Sequence, residues 1–138
     1  MSDLLSRPID QQGEGVRLFV GAVRRWVRAA VNGRCVCHVI GAAFKAAGLE
    51  KGAAPFHAAM QTLCNNARQP LRFGTADRAW LSAHEVRLVE ALRAASEERP
   101  TELRRIAGEL VFPDLAPALA VALTSVAAEF RRAQLPLI

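Results

Sequence analysis

Apolar residues recur at helical spacing through most of the chain, and the breaks in that period divide it into six segments. From Val16 to Val31, the residues Leu18, Phe19, Val20, Val23, Trp26, Val27 and Ala30 cover most of a helix circumference. Arg17, Arg24 and Arg28 fall within about 40° of one another, with Arg25 about 60° beyond. A helix so apolar around its girth is a central one carrying a narrow basic stripe. Asn32-Gly33 ends it, the glycine suiting a left-handed cap. A second helix is expected from Arg34 to Ala47, stopped by Gly48. Val36, Ile40, Ala43, Phe44 and Ala47 form its apolar face, and Arg34, His38, Gly41 and Lys45 the opposite one. The two helices read as a hairpin.

A third helix is expected from Pro55 to Ala67, with Phe56, Met60, Leu63 and Ala67 on one face. The stretch "NNARQPLRFGTADRAW", Asn65 to Trp80, is an irregular connection in which "PLRF" suits a short extended piece. One such piece makes no sheet. Ser82 and Glu85 then form a capping box, with Leu81 and Val86 at the positions of a hydrophobic staple. The fourth helix therefore spans about Ala83 to Glu97. A fifth follows from Thr101 to Val111 and breaks at Pro113. Asp114 is placed to cap the sixth, which runs to about Ala133 along a spine of Leu115, Leu119, Leu123, Val126 and Phe130. Arg131 and Arg132 suit its negative C-terminal end.

This pattern predicts an all-α fold, a single-domain bundle of about six helices over residues 16–138, after a flexible lead-in over residues 1–15. Trp26, Phe44, Met60, Leu92, Leu119 and Leu123 are expected in the core. Composition agrees: alanine is abundant, tyrosine absent and 51% of residues are hydrophobic. With 138 residues the chain is long enough for a core without staples. No apolar run reaches the ~20 residues of a membrane span, and Leu115 to Ala128 reads as a core helix. Three cysteines cannot all pair within one chain, and the polar opening lacks the marks of a signal peptide, so a cytoplasmic, reducing location is expected.

The net charge is +5, and its distribution matters more than its size. From Gly15 to Leu49 the bases Arg17, Arg24, Arg25, Arg28, Arg34 and Lys45 occur with no acid, whereas from Pro70 onward nine arginines face nine acids. Those six cations are the candidate binding residues for an anionic partner: an acidic protein surface, nucleic acid or lipid headgroups. The plainer reading is that arginine decorates a solvated face.

The chemistry-bearing residues cluster at Arg34-Cys35-Val36-Cys37-His38. Covalent haem attachment needs C-x-x-C-H, and Arg34 stands where the first cysteine belongs. C-x-C is not a zinc-knuckle spacing either. On a helix, Cys35 and Cys37 diverge by about 200°. Cys35 and His38 share one side of their helix, as do His57 and Cys64 of theirs, so a Cys₂His₂ metal set of Cys35, His38, His57 and Cys64 is a geometric option. A thiolate nucleophile at the helix start, with His57 as its base, is another. Against both stands a pair of inert, buried thiols with His38 and His84 merely exposed. No phosphate-binding glycine loop or catalytic carboxylate pair is present, and no cofactor is implied.

"AAFKAAGLEKGAAPFHAAM" has the outline of a helix-turn-helix whose second helix would offer His57, Gln61, Thr62, Asn65 and Asn66 to bases. Gly52 and Pro55 interrupt the place where that helix should begin. The reading preferred from sequence is a small helical regulatory or adaptor protein that binds an acidic protein surface through its first hairpin. A nucleic-acid-binding regulator and a metal- or haem-binding Cys/His protein are the alternatives. The alanine-rich sixth helix and the "LPLI" tail suit a homodimer, unless the tail folds back onto its own core.

Overall fold

The computed structural model describes residues 7–138; the first six residues of the expected lead-in lie outside the described residues. The fold is an all-α bundle of six helices: α1 (Glu14–Val31), α2 (Val36–Ala46), α3 (Ala53–Asn65), α4 (Ala83–Ser96), α5 (Pro100–Leu110) and α6 (Ala116–Arg132). Single 3₁₀ turns sit at Ile9–Gln11, Glu50–Gly52 and Pro113–Leu115. The α6 helix is the hub and packs against α3, α4 and α5. Its apolar faces are dictated by Leu119, Leu123, Val126 and Phe130, all essentially inaccessible to solvent. All six residues expected in the core are buried.

Four phenylalanines tie the helices that are most distant in sequence. Phe19 of α1 meets Phe56 of α3 edge-on, with ring centroids 5.8 Å apart, and Phe130 of α6 at 6.1 Å. Phe44 of α2 lies 5.1 Å from Phe56. Each ring is at most 1% exposed. Edge-to-face pairing of this kind adds to the stabilisation that burial alone gives.

Helix ends depart from the sequence reading where tertiary contacts compete with the local period. α1 begins two residues early because the C-terminal tail crosses its first turn. A Cβ on Gly13 would lie 2.2 Å from the carbonyl oxygen of Ile138, and one on Gly15 2.1 Å from that of Pro136. Only glycine lets these two backbones approach so closely. Before α1, the Ile9 N–H donates to the Ala79 carbonyl (2.6 Å) and Gln12 is buried, so this part of the lead-in is packed onto the domain. α2 begins at Val36 rather than Arg34, with Cys35 as an extended N-cap residue (φ −72°, ψ 104°).

α3 starts at Ala53, which places Pro55 in its first turn, where a missing N–H leaves no hydrogen bond unmade. It stops short of Ala67 because the chain there pairs elsewhere. Ala67 and Val111 form an antiparallel bridge, flanked by Arg68 N–H to Leu110 O (3.1 Å) and Phe112 N–H to Asn66 O (3.0 Å). Asp114 caps nothing: it sits inside the 3₁₀ turn that precedes α6.

By length and composition alone the stretch Pro113–Arg132 is long and apolar enough to cross a membrane, with a mean hydropathy of 1.2 over an 18-residue window. That corrects the expectation that no such run exists, because helical continuity through Pro113–Leu115 lengthens it; its position at the centre of the packing accounts for its apolar character. Its outward face shows Pro117, Ala118, Val121, Ser125 and Ala128. The tail folds back, with Leu137 buried, Leu135 half-buried and the Arg93 side chain donating to the Leu137 carbonyl.

Candidate functional site

The helical period groups Arg24 with Arg17 and Arg28 on α1, yet the structure separates them. Arg17, Arg25 and Arg28 are exposed, while Arg24 is 4% exposed. The connection between α3 and α4 passes over that part of α1 and encloses the Arg24 guanidinium. Its Nε and Nη2 donate to Glu85 Oε2 and Oε1 at 2.8 and 3.0 Å. Nη1 donates to the Arg78 carbonyl (2.8 Å) and Nη2 also to that of Trp80 (3.0 Å). Arg24 is thus an internal anchor for the connection, which corrects its assignment to the face offered to an anionic partner. A desolvated guanidinium needs all these acceptors, because an unpaired buried charge is far more costly than a solvated one.

Glu85 completes the anchor from the other side. It accepts from the Ser82 N–H (2.8 Å) and the Gly74 N–H (3.0 Å) besides Arg24, and Ser82 Oγ accepts from the Glu85 N–H (3.2 Å). The expected capping box is therefore present, and its glutamate also serves a long-range ion pair. Burial alone would raise the Glu85 pKa. The hydrogen bonds from Arg24, Ser82 and Gly74, with the charge of Arg24, outweigh it and hold the carboxyl below its ordinary value.

Gly74 lies flat against the guanidinium, and a Cβ there would fall 2.7 Å from Arg24 Nη2. With the guanidinium held on several sides, Gly74→Ala is expected to destabilise the protein by about 1–3 kcal/mol. Urea unfolding measures this, and a stability equal to the parent's would show that the guanidinium is free to move aside.

The other five candidate cations, Arg17, Arg25, Arg28, Arg34 and Lys45, are all exposed. Among the described residues none has a carboxylate within ion-pair distance, whereas the arginines of α4–α6 are largely paired. Arg87 bonds Glu90 (2.8 Å) and Glu109, Arg105 bonds Glu109 (3.0 Å) and Glu102, and Arg132 bonds Glu129 (2.9 Å). Charge is therefore segregated in space: α4–α6 carry self-compensated charges and the α1–α2 hairpin an uncompensated basic surface. Arg72 and Arg78 of the connection are exposed too, and the sequence reading missed them as additions to the basic surface because it treated that segment as featureless. The exposed Asp77 carboxyl is held below its usual value by the Thr75 hydroxyl, by its own backbone and, more weakly, by the charge of Arg28.

Beside this surface lies a groove of 510 Å³, lined by Val27 of α1, Cys64 and Asn65 of α3, and Arg68, Leu71 and Phe73 of the connection, among others. Among the described residues no carboxylate lines it. Arg68 is held in its wall by donating to the Gly108 carbonyl of α5 (2.8 Å). Partial desolvation pushes the Cys64 thiol above its ordinary pKa, which disfavours the thiolate a nucleophile or metal ligand needs.

The sequence motif RCVCH resolves differently from either of its readings. Cys35 and Cys37 are both exposed, which corrects the picture of buried thiols. His38 is exposed as well. Cys35 precedes the helix, so the argument that the two sulfurs diverge on regular helical backbone does not apply to it. His57 is half-buried, and its Nδ1 accepts from Trp26 Nε1 (3.0 Å). His84, expected to be exposed, is half-buried and its Nδ1 accepts from the Arg72 N–H (2.9 Å). Among the described residues no three His, Cys, Asp or Glu side chains gather as a metal site, so Cys35, His38, His57 and Cys64 do not form the set the sequence allowed.

The helix-turn-helix outline also changes in the folded chain. Phe56, Ala59, Met60 and Leu63 turn α3 inward against the core. Of its polar residues, His57 is engaged by Trp26, and Asn66 donates to the Thr62 carbonyl (3.1 Å). Gln61 and Asn65 are left exposed.

Comparison with protein-family models, with curated proteins and with solved structures finds no match for this chain.

Proposed function

We propose that the protein acts through protein–protein contact, as a small helical regulatory or adaptor protein whose basic face receives an acidic surface of its partner. The observation that supports this reading is the segregation of charge. Arg17, Arg25, Arg28, Arg34 and Lys45 stand in solvent without carboxylate partners among the described residues, while α4–α6 neutralise most of their own charges. Uncompensated charge of one sign steers oppositely charged partners and fixes their register. Protein is preferred over nucleic acid because His57 and Asn66, two of the side chains a recognition helix would offer, are held in intramolecular bonds, and because Val27, Leu71 and Phe73 give the adjoining groove apolar side chains in its lining. In a reducing compartment the exposed Cys35, Cys37 and Cys64 remain thiols.

The test reverses charge where it is free. Arg25→Glu with Arg28→Glu should leave the melting temperature within a few degrees of the parent's, since among the described residues neither side chain has an intramolecular ion pair. Binding of the acidic partner recovered from cell extract should weaken at least tenfold, and the parent's affinity should fall as salt rises. An unchanged affinity in the double variant would overturn the reading. Tight, salt-dependent binding of a labelled oligonucleotide, with no protein partner, would replace it by the nucleic-acid alternative.

A further inference from the structure

The connection between α3 and α4 carries an alternation that no secondary-structure element accounts for. The Arg72 N–H donates to His84 Nδ1 (2.9 Å), and the Arg72 carbonyl accepts from Ser82 Oγ (2.6 Å). An N–H and a C=O of one residue that reach the same side mark extended backbone. Two residues on, the Gly74 N–H points the same way, to Glu85 Oε2 (3.0 Å). Arg72 and Gly74 therefore face the start of α4.

By the same period, Leu71 and Phe73 turn their N–H and C=O groups to the opposite side. Among the described residues those groups have no intramolecular hydrogen bond. The groove is lined by Leu71 and Phe73 together with Val27, Cys64 and Asn65. A separate cavity on the α4 side is lined by Ala83 and His84 and is also reached by Gln69 and Leu71, so Phe73 is the edge residue that lines the groove alone. Pro70, which has no N–H to offer, falls in register with Arg72 and so does not interrupt the open side. Upstream, beyond a bend at Arg68 and Gln69, the chain makes an isolated β bridge between Ala67 and Val111.

We propose that Leu71–Phe73 is an open β edge on which an extended, acidic segment of the partner pairs through its backbone, with an apolar side chain seated in the groove. This rests on the acidic-partner reading above and names the form the partner takes. An unpaired strand edge is a template for another chain, and edge pairing is a recurrent mode of peptide recognition. The charge selects the occupant. Arg68 stands in the wall, Arg28 and Arg72, which follow the lining residues Val27 and Leu71, are exposed, and among the described residues no carboxylate lines the groove. A second copy is disfavoured, because two such edges side by side would bring Arg68 and Arg72 of both copies together.

The experiment uses the full chain, labelled with ¹⁵N, and a blocked heptapeptide of alternating glutamate and valine at low salt. Addition of the peptide should move the Leu71 and Phe73 amide resonances and slow their hydrogen exchange. Peptides N-methylated at all valines or at all glutamates remove the hydrogen bonds of one edge or the other. One of the two should bind at least tenfold more weakly than the parent peptide. A peptide with lysine in place of glutamate should not bind.

Equal binding by both methylated peptides, or shifts confined to Arg17, Arg25 and Arg28, would overturn the edge while leaving the acidic-partner reading intact. Absence of peptide binding, together with loss of the partner by the Arg25→Glu/Arg28→Glu variant, would do the same. Absence of peptide binding together with a partner indifferent to that variant would end both. Protection of the Leu71 and Phe73 amides without peptide, with a doubled solution mass, would assign the edge to a second copy and overturn the proposal.

Discussion

Glu85→Ala is expected to lower the unfolding free energy by about 3–5 kcal/mol. For a chain of this size that moves the melting temperature down by roughly 10–20 °C. The loss is large because the carboxylate holds three elements at once. It neutralises Arg24 of α1, accepts the Gly74 N–H of the connection and accepts the Ser82 N–H at the start of α4. Its removal leaves a buried guanidinium with the Arg78 and Trp80 carbonyls as its remaining acceptors. An isolated buried pair is often replaceable by apolar residues of similar volume at little cost. Here Arg24→Met with Glu85→Leu should recover only part of the loss, since the backbone groups of Gly74, Arg78, Trp80 and Ser82 would still lack partners. Hydrogen exchange over residues 72–82 should accelerate in both variants. A double variant as stable as the parent would show that the pair does not tether the connection.

The same carboxylate predicts the response to acid. The folded-state pKa of Glu85 lies below its unfolded value, so the folded state favours the ionised form. Its contribution to stability is fully present above the ordinary carboxylate range and is lost as pH falls through the folded-state pKa. Urea midpoints should therefore decline on acidification below that range, and the decline should be smaller in the Arg24→Met/Glu85→Leu variant.

Phe56→Ala is the second large effect, again about 3–5 kcal/mol. Phe56 is 1% exposed and stands between Phe19 and Phe44, so its ring joins α1, α2 and α3. Truncation removes the transfer free energy of the ring, its edge contacts and the packing of both neighbours, and it leaves a cavity that three helices would have to close. Phe56→Leu keeps most of the volume and should cost less than half as much. Paired urea titrations decide this. Equal losses for alanine and leucine would show that the ring geometry, rather than the filled volume, carries the stability.

Much of the architecture was legible because it is local. Apolar spacing placed all six helices, and Ser82 with Glu85 located the start of α4 to the residue. The charge distribution along the chain foretold which helices neutralise themselves. What escaped were events whose partners lie far away in sequence. Arg24 reads as one of a stripe by angle, and its acceptor stands 61 residues later. Local spacing held no mark of that pairing beyond Gly74, whose need became evident only when the guanidinium was found against it.

Cys35 and Cys37 read as buried because cysteine usually is, yet Cys35 precedes α2, Cys37 lies in its first turn, and both are exposed. Helix content and the pairs Arg87–Glu90, Arg105–Glu102 and Arg132–Glu129 were therefore set by the sequence alone, since both depend on neighbours within a turn or so, whereas Arg87–Glu109 needed α4 and α5 to pack. The exposure of each cation, the groove and the open backbone of Leu71 and Phe73 were decided by the tertiary structure. These features depend on which distant segment covers a given face, and a period of 3.6 residues carries no information about that.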